Sequence, residues 1–470
     1  MKPTIQDRMK RINQVADAFF LGKPFFAVLF FLTCLVPIFD WEVPVVLVYA
    51  VLLSVIFVLC DDIQCVFLPV MLLSVFVTKC YNSYDTFMAY IGFAVLPVAA
   101  VLFHLIVYRK KPVLGPTFGG LCAVAVAVLL GGMGTLPWAD RIGGSALYYI
   151  LGLSIGMVAA YLILQPRLAE PCVYPRKKKF LSALLLMGAL CCVCITVFYF
   201  KDLDRVLAGH FTVFQSSNNL STMLMISMPV PAMLSLKKKR WLPVLFLFAV
   251  FIVLTASRGG IVMGGIEFFI LLGYLAVFDR KYRYAYLVAI VVLAIGIYFG
   301  LPHFLTASYI YSNLNPNQPP SSYYREILEL EKQIGESRLK LLLRAWENFR
   351  GNILFGQGLT YRGNTDIYNP VRGAMCWYHM WTAQVLGSMG LLGVVAYLYQ
   401  LIQRIVVTAR RGGWFAWGLF LCYGGLFLMS QVNPGEFCPV PYALTAVILF
   451  LFIEQPRKKA AVDPTAEKAI

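Results

Sequence analysis

An arginine stands where two apolar runs meet, in Leu254-Thr255-Ala256-Ser257-Arg258-Gly259-Gly260, with no polar loop around it. A guanidinium at membrane depth is costly; it marks a functional site or a specific partner, unless it snorkels from a helix end. A second arginine, Arg338, precedes Gly356-Gln357-Gly358, and His379 opens an apolar run that contains Gly387, Gly390 and Gly393. Ser337 can cap a helix whose first turn holds Arg338, where the dipole favours an anion. An imidazole titrates near neutrality and suits acid–base work. Anion binding beside a proton-moving group is the chemistry these residue types offer.

The elements that must position them are apolar. Of 470 residues, 60% are hydrophobic and 13% charged, more apolar surface than one soluble core can hide. Lipid is therefore the solvent. Runs near 25–39, 43–60, 64–79, 87–108, 113–134, 143–165, 180–200, 217–236, 242–257, 258–278, 284–300, 379–402, 413–431 and 438–454 reach or approach the length that crosses hydrocarbon, so about 14 transmembrane helices are predicted. The fold class expected is an all-α, polytopic integral membrane protein with one large, partly helical external loop.

The net charge of +17 is not a nucleic-acid signature. Its clusters recur where alternate spans end: the N-terminal Lys2, Arg8, Lys10 and Arg11, then Arg109–Lys111, Arg176–Lys179, Lys237–Arg240, Arg280-Lys281, Arg404–Arg411 and Arg457–Lys459. The positive-inside rule puts these on one face, with both termini cytoplasmic. No cleavable signal peptide is visible ahead of the first apolar run. The 12 cysteines lie mostly inside apolar runs and read as small core hydrophobes, the Cys191/Cys194 spacing included. Residues 1–459 form one membrane domain and 460–470 a cytoplasmic tail.

Leu301–Tyr378 is the long segment between predicted spans 11 and 12, and a gap of that length is usually functional. It begins polar and Pro-rich, then turns helical, with Leu339, Leu342, Leu343, Trp346 and Phe349 in one apolar stripe. At about 100° per residue, Arg338 borders the stripe and Arg344 points nearly opposite, so Arg338 is the arginine expected to face an interior site. Glu326, Glu329 and Glu331 alternate with Arg325 and Lys332 as a solvated face, and Asp61-Asp62 fall on a cytoplasmic turn. No metal site is predicted outside.

At these positions the chain resembles the O-antigen ligase and polymerase family of bacterial polysaccharide enzymes. The likeness rests on an ordered set over about residues 205–400: Thr255-Ala256-Ser257-Arg258-Gly259, then Arg338 through Gly356-Gln357-Gly358, then His379 through Gly390-Leu391-Leu392-Gly393. Arg205, with Gly209 and Asn218-Asn219, looks like a loosened form of a further family element. Met380 and Leu342 depart from it, where the family often has Asn and an aromatic residue. The resemblance implies transfer of a glycan from undecaprenyl diphosphate to an acceptor hydroxyl on the outer face of the cytoplasmic membrane, with inversion and without cofactor or metal. Arg258 and Arg338 would stabilise the diphosphate leaving group, and His379 would act as base or as phosphate donor. Arg205, Ser257, Gly259, Gly356 and Gly358 would line the substrate site.

The acceptor is a second lipid-linked repeat for a polymerase, or a lipid, protein or wall hydroxyl for a ligase. The chain's length and span number lean toward the polymerase. A flippase or other carrier of lipid-linked oligosaccharide is the more distant alternative, against which stands the long external loop. A structural subunit would leave Arg258 in need of an acid, and Glu267 is more than two turns away along its own span.

Overall fold

In lipid, a backbone must satisfy its own N–H and C=O groups, so apolar runs fold as helices. The computed structural model describes residues 5–76, 91–132, 144–169, 175–203, 210–212, 215–314, 330–359, 378–433, 435–437 and 440–455. Helix α1 (Ile5–Phe20) leads into α2 (Lys23–Cys34), α3 (Val36–Phe39), α4 (Glu42–Leu59) and α5 (Phe67–Phe76), then α6 (Val95–Val107) and α7 (Phe118–Gly132). Next come α8 (Gly144–Leu151), α9 (Met157–Ala169) and α10 (Arg176–Lys201). A short antiparallel ribbon, β1 (His210–Thr212) with β2 (Gln215–Ser216), precedes α11 (Ser217–Ser227) and α12 (Pro229–Ser235). The chain continues through α13 (Leu242–Leu254), α14 (Arg258–Phe278), α15 (Arg283–Leu314), α16 (Leu330–Gly351), α17 (Trp381–Arg411), α18 (Gly413–Ser430) and α19 (Val440–Glu454).

Every predicted apolar segment contains helix, and the all-α polytopic fold stands. The number of crossings is a different matter. Among the described residues, 7 helices are long and apolar enough to span, and an eighth is possible if the pair Lys10–Phe20 and Lys23–Phe39, bent by 55°, is one span. Other apolar helices, such as Phe118–Gly131 and Val440–Glu454, are shorter. Pro229 and Pro231 divide predicted span 217–236 into α11 and α12, as a ring without an N–H divides any helix. The predicted loop start at Leu301 lies inside α15, whose helix runs on to Leu314.

The centre of the bundle is α10, with Leu184, Met187, Cys191, Cys194 and Ile195 all buried. Small residues let neighbours approach: a Cβ on Gly188 would lie 2.7 Å from both Ser227 and Phe248. At the rim, the apolar part of α15 leaves Val288, Val291, Val292, Ile295 and Ile297 exposed, as a lipid-facing helix should. Helices α7 and α17 run antiparallel in contact: Gly131 lies against Met389 at one end, and Gly120 donates its N–H to Gln403 Oε1 (2.6 Å) at the other.

One charge reading is corrected. Arg404, counted among the cytoplasmic basic residues, is buried, and its Nη1 lies 2.7 Å from Glu436 Oε1. Its guanidinium also stacks over Tyr423 at 4.5 Å, and Tyr423 donates to the other Glu436 oxygen (3.3 Å). Glu436 belongs to the turn between α18 and α19, where Phe437 is buried against Tyr397. That turn folds into the bundle instead of standing clear of it. Sequence adjacency to Arg410 and Arg411 hid the pair, because a cluster read by proximity ignores which helix face each residue occupies.

Candidate functional site

The Arg258 segment is a helix start held by short-range bonds. Thr255 Oγ1 donates to the Ile252 carbonyl (2.7 Å) and closes α13; Ala256 then turns with φ +52°. Ser257, in extended conformation, caps α14: its Oγ accepts the Gly260 N–H (3.0 Å) and donates to Asn218 Oδ1 (2.6 Å). Arg258 thus occupies the first helical position, half-buried, at the positive end of the α14 dipole. A Cβ on Gly259 would lie 2.7 Å from the Val432 side chain, and one on Gly260 would lie 2.5 Å from Ser221. Ser257 and Gly259, expected at the substrate, serve here to cap the helix and to seat it between α11 and the end of α18.

The loop helix and the histidine span are joined at a break. Within α17, Gly390 alone has non-helical angles (φ 60°, ψ −152°), a conformation open to glycine and strained for other residues. The interruption frees two carbonyls and two N–H groups, and the chain after α16 takes them up. Gln357 and Gly358 donate to the Gly387 and Ser388 carbonyls (2.9 and 3.0 Å), while Leu391 and Leu392 donate to those of Ile353 and Leu354 (2.8 and 3.1 Å). Gly356 (φ +67°) and Gly358 (φ +86°) give this stretch its left-handed turns. A Cβ on Gly356 would lie 2.5 Å from the Ser388 carbonyl carbon. The two glycines expected at the substrate are thereby accounted for by the splice. The apolar run that His379 opens is therefore not one continuous helix, being interrupted at Gly390.

The apolar stripe of α16 is also corrected. Leu343 and Trp346 are 52% and 49% exposed, while Ala345 is fully buried and packs with Leu341, Tyr378 and Ala383. The helix docks through Leu341, Ala345 and Asn348, and presents its larger apolar side chains outward. The physical reason is the small-residue seam: Ala345 fits at Gly387, where a Cβ would lie 3.1 Å from its Cα, and a leucine would not fit. By helical spacing Arg344 borders the docked face and is half-buried, so it does not point away from the bundle. Its Nη1 lies 3.5 Å from Glu347. Arg338 is within α16, its side chain outside the described residues; Arg205 is outside them altogether.

His379 sits on the hinge between these parts. Tyr378 is anchored on both sides, accepting from Asn348 Nδ2 at its hydroxyl (2.5 Å) and donating its N–H to Gln384 Oε1 (3.0 Å). Gln384 in turn donates to Ser388 Oγ (3.0 Å). His379 follows with φ +53° and is half-buried, and extended Met380 starts α17. Among the described residues the non-glycine positions with positive φ are Asp40, Ala256 and His379, so two of the three lie in the candidate segments. Such backbone costs about 1–3 kcal/mol each and persists where the surroundings over-determine it.

Both segments meet at the same turn. Gly259 abuts Val432, and Thr382 Oγ1 approaches Gln431 Oε1 at 3.5 Å, next in sequence to Val432. Trp381 packs on Phe427 one turn before, with ring centroids 5.7 Å apart. The end of α18 is therefore the floor shared by the arginine and histidine segments. Gln384, Gln431 and Glu436 carried no signal in the sequence, because polar residues in or beside apolar runs declare no direction; Asn218 did, through its place after Arg205.

An all-α bundle of membrane-span-capable helices in which a loop helix completes a broken helix defines a class of polytopic membrane protein. Residues 243–398, about a third of the chain, match the family model Wzy_C, O-antigen ligase, whose members are glycosyltransferase-like membrane enzymes. The matched segment contains Arg258, Arg338, Gly356, Gly358 and His379. No curated protein and no solved structure shows a match to the chain.

Proposed function

We propose that the protein transfers a glycan from undecaprenyl diphosphate to an acceptor hydroxyl at the outer face of the cytoplasmic membrane, as a polysaccharide polymerase. The observation that carries this reading is the meeting of the Arg258 and His379 segments, both within the matched residues 243–398, at the Gln431–Val432 turn beyond them. A diphosphate leaving group develops charge as the anomeric bond breaks. Guanidinium donors stay charged in a low-dielectric site and bind it through paired hydrogen bonds, and the α14 N-terminus adds its dipole. His379 takes the acceptor proton or donates to the diphosphate. Attack from the face opposite the leaving group inverts the anomeric centre. Metal is not required in this reading, and the rate is expected to be the same with and without added Mg²⁺.

Helix length and charge support this orientation. From Leu391 to Arg411, α17 covers about 30 Å, a full hydrocarbon core, so Trp381–Met389 and the docked loop stand at its outer boundary if Arg410-Arg411 are cytoplasmic. Cysteines placed at Ser321 and Lys238 should react oppositely with an impermeant maleimide in whole cells, Ser321→Cys labelling and Lys238→Cys protected. Equal labelling from outside would overturn the map.

The choice of polymerase rests on chain length and on further arginines in the external segment, Arg325, Arg350, Arg362 and Arg372, available to a second diphosphate; Arg350 closes α16 and the others lie outside the described residues. Purified protein given only one undecaprenyl-diphosphate-linked repeat unit should yield a ladder of longer lipid-linked products. Single units that persist until a different acceptor is added would make it a ligase. Uptake of the lipid-linked unit across vesicles with no transfer would support the carrier reading instead.

A further inference from the structure

Away from this site, the start of the chain brings together two thiols and a carboxylate. Asp17 lies near the end of α1, Cys60 caps the end of α4, and Cys65 follows in the tight turn Ile63–Val66. One ligand atom from each lies within 4.8 Å of the other two. The Cys65 Sγ to Asp17 Oδ1 separation is 3.7 Å. In a tetrahedral zinc site with Zn–S of about 2.3 Å and Zn–O of about 2.0–2.2 Å, a sulfur and an oxygen ligand stand about 3.6 Å apart. Both thiols are only 1% exposed, and Asp17 is held by the Asp62 N–H at 3.4 Å, an orienting bond of the kind that surrounds metal ligands.

We infer that Asp17, Cys60 and Cys65 form a zinc-binding site, open at one coordination position, that fastens α1 to the turn after α4. Binding forms two Zn–S bonds and one Zn–O bond; the two thiol protons leave to solvent and water completes the tetrahedron. The assembled site carries one net negative charge. Asp61 and Asp62 add carboxylates to the same turn; Lys110 pairs with Asp61 at 3.8 Å, and Lys179 donates to the Leu21 carbonyl just past α1. The charge pattern that sets the termini inside puts this cluster on the reducing side of the membrane, where paired thiols hold a metal in preference to a disulfide.

The test uses the full-length protein in detergent, stripped with a chelator and titrated with Zn²⁺ against a chromophoric competitor, with Co²⁺ as a spectroscopic probe. One metal per chain, a thiolate-to-cobalt charge-transfer band and a higher unfolding temperature on adding Zn²⁺ are expected. Cys60→Ser and Cys65→Ser should weaken binding at least about 100-fold, and Asp17→Asn about tenfold. Cys192→Ser, on a thiol remote from the cluster, should bind as the parent does. The parent alone decides the matter if a variant misfolds: no stoichiometric metal, or binding without the thiolate band, overturns the site. Because glycan transfer is not the readout, failure here leaves the proposed activity untouched.

Discussion

His379→Ala is expected to lower glycan transfer by about 100- to 10,000-fold, the range over which a positioned acid or base acts. The protein should still fold, because His379 is half-buried and the bonds that fix its backbone belong to Tyr378 and Gln384. Assay of purified variant with the lipid-linked donor, beside the parent at equal amounts, measures the loss. The pH profile separates the two roles: a general base is needed unprotonated, so activity rises with pH through its titration, whereas a phosphate donor is needed protonated and activity falls. Arg258→Lys keeps charge at the α14 N-terminus but loses the bidentate fork, and should still lose about tenfold or more. Parent-like rates in His379→Ala would remove the imidazole from the mechanism.

The larger structural effect belongs to Gly390→Ala. A Cβ there would lie 2.6 Å from both the Gly356 nitrogen and the Ile353 carbonyl oxygen, at a φ that side chains resist. Backbone cannot yield as a flexible side-chain tip does. Either α17 straightens, leaving four hydrogen-bonding groups of the loop without partners, or the loop withdraws. We expect a loss of about 3 kcal/mol or more in local stability and near-complete loss of transfer. Limited proteolysis between Gly351 and Tyr378 gives an independent reading, faster in the variant than in the parent. Gly424→Ala, on α18, serves as the comparison: a Cβ there would come no closer than 4.0 Å to the Leu421 side chain, and the change should be mild. Equal protection of the loop in Gly390→Ala and the parent would sink the splice as a stabilising device.

What the sequence made legible follows from the physics each residue advertises. Helices were readable because lipid leaves a long apolar run no alternative, and the Arg258 and His379 segments were readable because charge at membrane depth is rare. Crossing number was not, since an apolar run such as 217–236 says nothing about where Pro229 and Pro231 will turn it. The stripe on α16 misled for a related reason. In a soluble protein the larger apolar face seeks the core; beside a bilayer, Leu343 and Trp346 can face outward while Ala345 meets Gly387. The broken span was hidden because glycine reads as packing or as interruption alike. Arg404 was visible only as one more positive charge, and its partner, Glu436, lies 32 positions further on.

The Arg404–Glu436 pair has a consequence for biogenesis. Ribosomes deliver Arg404 to the insertion machinery ahead of Glu436, and an arginine in the middle of an inserting helix costs about 2.5–3.5 kcal/mol. During that interval α17 holds a charge whose counter-ion is still unmade. Stable residence of α17 in the bilayer is therefore expected to await α18 and its inward turn, so that these two helices enter as a unit.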